Sequence, residues 1–420
     1  MWKFFCNFRK FLRIVGIITP AKPKHKTKNS NIKNMKTYKT NELKNISLLG
    51  SKGSGKTTLA EAMLLECGVI KRRGTIAAGN TVCDYFPVEK EYGYSVFSTV
   101  INAEFNGKKL NVIDCPGSDD FVGNAVTALN VTDCGVILVD GQYGVEVGTQ
   151  NIFRTADSVN KPIMFAINKL DGEKADFDNV INNLRDVFGP RVTPVQFPVQ
   201  CGLGFNSVVD VLLMKQLTWG PDGGTPTISD IQPDLMDRAE ELNAQLVEAA
   251  AENDEALMDK FFEEGTLSED EMREGIRKGL VTRSIYPVFC VSAAKDMGVR
   301  RMMEFLGNVV PFVTEMPAPC NTEGQEVKPD ANGPVSLFVF KTTIEPHIGE
   351  VSYFKVMSGT LKVGMDLANT SRGSKERLAQ LYTVCGQLKT PVDQLEAGDI
   401  GATVKMKDVR TGNALNEKDC

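Results

Sequence analysis

From Lys44 onward, short apolar runs alternate with longer stretches in which apolar residues recur every three or four positions. This rhythm predicts strands of a mostly parallel sheet joined by crossover helices. Ile46-Ser47-Leu48-Leu49 reads as the first strand, and Thr58 to Leu65 continues as a helix. Gly74 to Ser95 is glycine-rich and irregular. Two runs, Ser95 to Glu104 and Lys109 to Ile113, flank Asn106-Gly107, a strong hairpin signal. Cys134 to Asp140, Pro162 to Ile167 and Tyr286 to Val291 read as buried strands, and Gly144 to Ser158 as a helix. Within a long insertion, Leu235, Ala239, Leu242, Leu246 and Ala250 keep helical spacing, with Asp237, Glu240, Glu241 and Glu248 on the other side. Ser268 and Glu271 form a capping box that opens another helix. Beyond Pro317 to Gly333, rich in Pro, Gly and charge, Val335 to Phe340, Val351 to Val356 and Leu378 to Tyr382 alternate with glycines and predict a small β-barrel.

Composition adds exclusions. The chain has 420 residues and a formal net charge of −5, small for its length, so its average charge points to no particular partner. Ten cysteines lie scattered without C-x-x-C pairs, and histidine occurs only at His25 and His347, which leaves no zinc pattern and suggests a reduced, cytoplasmic setting. No run approaches the ~20 apolar residues of a membrane helix. The first residues differ: aromatic and basic positions alternate, Lys22 to Lys28 is strongly basic, and no acid occurs before Glu42. A signal-like or membrane-surface segment, a basic arm for RNA and an extension upstream of a start at Met35 compete, and the longer apolar stretch and small-residue cleavage site of a signal peptide are not clear here. The expectation is a leader over 1–40 that is disordered or not native.

The candidate chemistry sits at the ends of predicted strands. Gly50-Ser51-Lys52-Gly53-Ser54-Gly55-Lys56-Thr57 fits G-x-x-x-x-G-K-[ST] between a strand and a helix, the setting of a phosphate-binding loop. Its backbone amides and the helix start would cradle an anion, with Thr58 next in line. Lys56 would neutralise β- and γ-phosphates, and the Thr57 hydroxyl would ligate Mg²⁺. Asp114-Cys115-Pro116-Gly117 follows the second hairpin strand. Asp114 can hold Mg²⁺ through water, and the Gly117 amide can reach the γ-phosphate. Asn168-Lys169-Leu170-Asp171 ends another strand in the N-K-x-D pattern of a guanine reader. There the Asp171 carboxylate accepts from the base, Asn168 braces the loop and the Lys169 stem covers the ring. Ser292-Ala293-Ala294-Lys295 ends a further strand and can offer amides to guanine O6. Four such loops in order imply binding of GTP and GDP with Mg²⁺.

From Lys44 to its end the chain resembles elongation factor G, a translational GTPase. Gly74 to Ser95 is similar to that family's first switch, including Asp84 and Glu91-Tyr92-Gly93-Tyr94-Ser95, and the insertion from about Cys201 to Ser284 has its sequence pattern. The resemblance implies a GTP-binding domain over 41–315 with an inserted α/β subdomain, a linker over 316–333 and a β-barrel over 334–420. It implies action at the translocation step, with ribosomal RNA and the stalk protein as partners and a monomeric state. Three more domains would be expected to follow in the family, so a fragment of a longer reading frame or a natural stub are both open.

The departures bear on mechanism. Ser118 stands where the family has the histidine that positions the attacking water, Gly53 where it has an aspartate, and Ser95 where it has the Mg²⁺-capping threonine. Lys56, Gly117 and Ser118 are the residues expected at the chemistry, with Thr57, Ser95 and Asp114 at the metal. Binding is expected to survive and hydrolysis to be weak, because a positioned acid-base group is worth about 10²- to 10⁴-fold. Two alternatives stand beside this: an active enzyme in which Asp119 or Asp120 orients the water, and a ribosome-binding regulator that does not hydrolyse.

Overall fold

β-Branched and leucine-rich runs make the central layer of this computed structural model, which describes residues 36–321, 323–345 and 348–417. The main sheet holds β1 (Leu43–Leu49), β2 (Thr99–Phe105), β3 (Lys108–Asp114), β4 (Cys134–Asp140), β5 (Ile163–Asn168), β6 (Val192–Pro194) and β7 (Tyr286–Cys290). Their order is β2-β3-β1-β4-β5-β7-β6, parallel except for β2, which pairs antiparallel with β3. The β2–β3 turn places Asn106 and Gly107 at φ 48° and 77°, the left-handed pair that a tight hairpin needs. Helices α1 (Lys56–Glu66), α2 (Pro87–Tyr92), α3 (Val122–Val131), α4 (Val147–Ser158), α5 (Phe177–Phe188) and, later, the helix Val299–Asn308 lie along this layer's connections. The C-terminal ends of β1, β3, β5 and β7 deliver the four loops, the edge at which open α/β sheets bind ligands.

The insertion builds a four-stranded antiparallel sheet from Gln196–Pro198, Ser207–Asp210, Lys215–Thr218 and Thr227–Ser229, so its sheet starts before Cys201. Helix α6 (Pro233–Ala251) buries Ala239, Leu246 and Ala250 as its spacing predicts. The Ser268 and Glu271 capping box opens α8 (Glu269–Thr282), its two arms at 2.8 and 3.5 Å. Between them lies α7 (Glu255–Glu264), which periodicity did not single out; Asp254 caps it by accepting from Ala256 and Leu257.

The last part is an antiparallel β domain with its own apolar core, including Leu337, Val339, Phe354 and Leu381. Its long hairpin is β8 (Ser336–Glu345) with β9 (Gly349–Ser358), and β9 pairs on with the strand Ile400–Val404. The expected strand Leu378 to Tyr382 is instead broken. One strand ends at Arg377 and the next runs Leu381–Cys385, while both Leu378 and Leu381 still point into the core.

The β domain covers the open edge of the main sheet. The Gly386 amide donates to the Val100 carbonyl on β2 at 2.9 Å, and Asn102 Nδ2 donates to Val384 O at 2.5 Å. Below this runs a buried polar chain. Lys109 Nζ reaches both oxygens of Asp399 (2.7 and 2.9 Å), and Asn111 Nδ2 donates to Asp399 and to Asn45 Oδ1 (3.0 Å each). Asn45 Nδ2 donates to Asp133 (2.8 Å), and Asp133 accepts from Lys355 Nζ (2.9 Å).

Residues 1–35 of the expected leader lie outside the described residues, whereas Tyr38 is buried against the sheet with its hydroxyl donating to Glu104. Among the described residues, no helix is long and apolar enough to cross a membrane, and eight cysteines are free thiols.

Candidate functional site

At the end of β1 the chain turns through Gly50, Gly53 and Gly55, with φ of 131°, 86° and 99°. A side chain at Gly50 would press on the Leu138 carbonyl oxygen, and one at Gly55 on the Asn168 amide, so both glycines also serve close approach. Gly55 is the N-cap of α1 and brings no capping side chain, which leaves the helix start to an incoming anion. Lys56 Nζ crosses the loop to the carbonyls of Gly50 (2.8 Å) and Ser51 (2.9 Å), and burial pushes its pKa down. Ser51 Oγ and Thr149 Oγ1 lie 3.0 Å apart, tying the loop to α4. Asn168 holds the loop's far side by donating to Ser54 O at 2.8 Å. A Cβ on Gly117 would run into Lys56 Nζ and lie 2.7 Å from the Lys52 amide nitrogen, so the Asp114–Gly117 turn packs directly on the phosphate loop. Cys115 and Pro116 are buried beneath it, the Cys115 amide donating to Leu48 O at 3.2 Å.

Thr57, Ser95 and Asp114 come together. Thr57 Oγ1 donates to Asp114 Oδ2 at 2.7 Å and lies 3.2 Å from Ser95 Oγ. The free oxygen of Asp114 and both oxygens of the buried Asp84 have no hydrogen-bond partner. Burial pushes the Asp114 carboxyl up to about 7, with the Thr57 hydrogen bond opposing and the charge of Asp84 adding to it. Asp84 is raised too, chiefly by burial. Orphaned carboxylate oxygens beside two hydroxyls fit a small, hard cation. Among the described residues no three His, Cys, Asp or Glu side chains form a complete metal site, so such an ion would share its shell with phosphate and water. Asp84, here a neighbour of the metal position, carries no spacing signal in the sequence that would assign it one.

The base end is a single connected unit. Asn168 Oδ1 accepts the Ala293 amide at 3.0 Å while its Nδ2 holds the phosphate loop, so one side chain joins three loops. Asp171 accepts from Ser292 Oγ at 2.7 Å and lies 3.6 Å from Lys295 Nζ. Lys169 has φ 61°, and its ammonium pairs with Asp140 at 2.7 Å, stretching its stem across the end of the sheet. Leu170 is buried below.

Ser118 follows Gly117 and opens a short turn, Asp119–Phe121, ahead of α3. Its hydroxyl contacts Asp120 Oδ2 at 3.4 Å, and Asp119 accepts from Asn151 Nδ2 at 3.3 Å. Both histidines fall outside the described residues.

Several contacts were not legible as motifs. Glu61, buried on α1, accepts the amides of Gly74 (2.7 Å) and Val82 (2.5 Å) and so holds the segment that leads to Asp84. Arg73 donates to the carbonyls of Ala293 (2.5 Å) and Ala294. Glu89, in the short α2 that interrupts the irregular stretch, accepts from Val96 (3.1 Å) and Phe97 (3.0 Å) just past Ser95. The chain itself shows only an acid in the middle of α1 and a basic run, Lys71-Arg72-Arg73, before a glycine.

Family comparison agrees with this geometry. The model of the elongation factor Tu GTP binding domain matches residues 41–312, and that of elongation factor G domain 2 matches residues 334–418. A crystal structure of a protein from Thermus thermophilus superposes with a TM-score of 0.81 at 28% sequence identity, covering 90% of this chain. This chain spans 55% of the length of that one. The chain therefore belongs to the elongation factor Tu GTP binding domain family, as a translational GTPase of the elongation factor G type, and a guanine nucleotide is the ligand that family membership implies.

Proposed function

We propose that the protein binds GTP with Mg²⁺, acts on the ribosome at the translocation step in the cytoplasm, and hydrolyses the nucleotide weakly. The observation that carries the last point is Ser118: the position after Gly117 holds a neutral hydroxyl turned toward Asp120. Phosphoryl transfer depends on positioning and on charge neutralisation, so grip and hydrolysis are separable. Lys56 and the loop amides would hold the β- and γ-phosphates, with Gly117 donating to the terminal one. Thr57, Ser95 and Asp114 would hold Mg²⁺, which supplies charge neutralisation when bound. Asp171 would select guanine by accepting from its N1–H and 2-amino group, kept in place by Ser292. The inserted subdomain, through the acidic face of α6, is the surface we assign to the stalk protein, and the molecule is expected to work as a monomer contacting ribosomal RNA.

Single-turnover GTP hydrolysis on ribosomes tests the reading. Ser118→His is expected to accelerate the wild-type rate by about 10²-fold or more. A brisk wild-type rate that Ser118→His leaves unchanged would refute it and favour the second reading, in which Asp119 or Asp120 orients the water; the Ser118–Asp120 contact is what recommends that reading. Asp171→Asn should shift preference from guanosine to xanthosine triphosphate. Binding of neither nucleotide by either form would favour a ribosome-binding regulator.

A further inference from the structure

Lys52 stands at the tip of the phosphate loop, its amide against Gly117 and its side chain exposed. The ammonium lies 3.6 Å from the centroid of the Tyr94 ring. A solvent-facing lysine has wide rotamer freedom, and cation–π attraction is the force that favours this placement over the ring face. Tyr94 immediately precedes Ser95, whose hydroxyl is 3.2 Å from that of Thr57. On the other side of Ser95, the amides of Val96 and Phe97 are fixed on Glu89. Ser95 is thus held from one side by Glu89 and from the other by Lys52. Each clamp partner also adjoins a glycine with positive φ, Gly53 at 86° and Gly93 at 67°. A Cβ at either glycine would meet nothing within 4 Å, so these two serve backbone freedom and not close packing.

We propose that Lys52 and Tyr94 form a clamp that closes the segment carrying Ser95 onto the phosphate loop, with Lys52 as a positioning residue for the Ser95 hydroxyl and a selector of triphosphate over diphosphate. The inference rests on the nucleotide reading above and deepens it. With a triphosphate bound, the lysine at the loop tip would answer the added terminal charge while staying over the ring face, and that shared attraction would favour the closed arrangement. A diphosphate, with its charge farther from the Gly117 side, gains less from closure.

Dissociation of fluorescent guanosine β,γ-imidotriphosphate and of fluorescent GDP tests the clamp in the full chain at several Mg²⁺ concentrations. Lys52→Ala and Tyr94→Leu are each expected to speed triphosphate release about two- to fivefold and to raise the Mg²⁺ midpoint, with a smaller effect on GDP release. Lys52→Arg and Tyr94→Phe, which keep cation and ring, should restore wild-type rates. The double variant Lys52→Ala/Tyr94→Leu should be no faster than either single. Equal acceleration of both nucleotides, or additive effects in the double variant, would overturn the clamp. Amide hydrogen exchange across 84–97 without nucleotide supplies an independent arm. Faster exchange in both single variants is expected, and unchanged exchange overturns the clamp even if the wild type binds nucleotide normally. Failure of the wild type to bind either nucleotide refutes the underlying reading instead, and the exchange arm still decides the clamp.

Discussion

Replacing Asp399 with alanine removes the acceptor for Lys109 (2.7 and 2.9 Å), Asn111 (3.0 Å) and the Ile400 amide (2.8 Å) in one step. The Lys109 and Asp399 side chains are 2% and 3% exposed, so water cannot take the carboxylate's place without opening the joint between sheet and β domain. Breaking a buried pair by removing one partner costs about 3–5 kcal/mol, most of it from the stranded charge. That is roughly two to four powers of ten in the folding equilibrium. Equilibrium urea unfolding should therefore show a clearly lowered midpoint for Asp399→Ala, and the same for a variant that leaves Asp399 without its lysine, Lys109→Met. Combining Lys109→Met with Asp399→Leu removes both charges and should recover part of the loss, the Asn111 and Ile400 donors still lacking the Asp399 acceptor. A loss below about 1 kcal/mol in Asp399→Ala, or a double variant as unstable as the singles, would show that the joint admits water and that burial does not set the energy.

Three further outcomes are expected. Asn168→Ala loses the bonds to Ser54 O and from the Ala293 amide, and at about 1 kcal/mol each should weaken guanine-nucleotide binding by roughly 30-fold in calorimetric titration, with unchanged affinity counting against the brace. Asp114, held at about 7 by burial, is protonated in the folded chain where the unfolded chain is ionised, so stability falls as pH rises from about 4 to 7 and is flat above. Thermal melts in chelator should show this slope, worth up to about 4 kcal/mol, reduced in Asp114→Asn; an equal slope in both would exclude Asp114 as its source. Glu61→Gln keeps the shape but weakens acceptance from the Gly74 and Val82 amides by about 1 kcal/mol, and should quicken hydrogen exchange over 74–84.

The nucleotide loops were legible because each puts unusual residues, glycines or charges, at the end of a buried run, where side-chain periodicity cannot explain them. Gly50 to Thr57 and Asn168 to Asp171 are of this kind. The domain joint was not legible. Lys109-Leu110-Asn111-Val112 alternates like a half-solvated strand, so Lys109 and Asn111 read as water-facing, yet the β domain covers them and supplies Asp399 from far along the chain. Asp84 falls in the stretch that resembles the first switch, but its place beside Asp114, like the contacts of Glu61, is set by tertiary contact and not by spacing. Helix α7 escaped because its ten residues bury only Leu257, too little for periodicity to register. Leu378 to Tyr382 misled because two core leucines three apart serve a bend as well as a strand.

The covering of β2 constrains how the molecule can be trimmed. A shortened product ending near residue 315 would bring the Val100 carbonyl and the Lys109 ammonium into water and leave an open strand rim. Such rims recruit further chains, so the piece should self-associate in proportion to its concentration. Anyone seeking a minimal guanine-nucleotide sensor from this scaffold would have to carry the β domain along as an intramolecular chaperone.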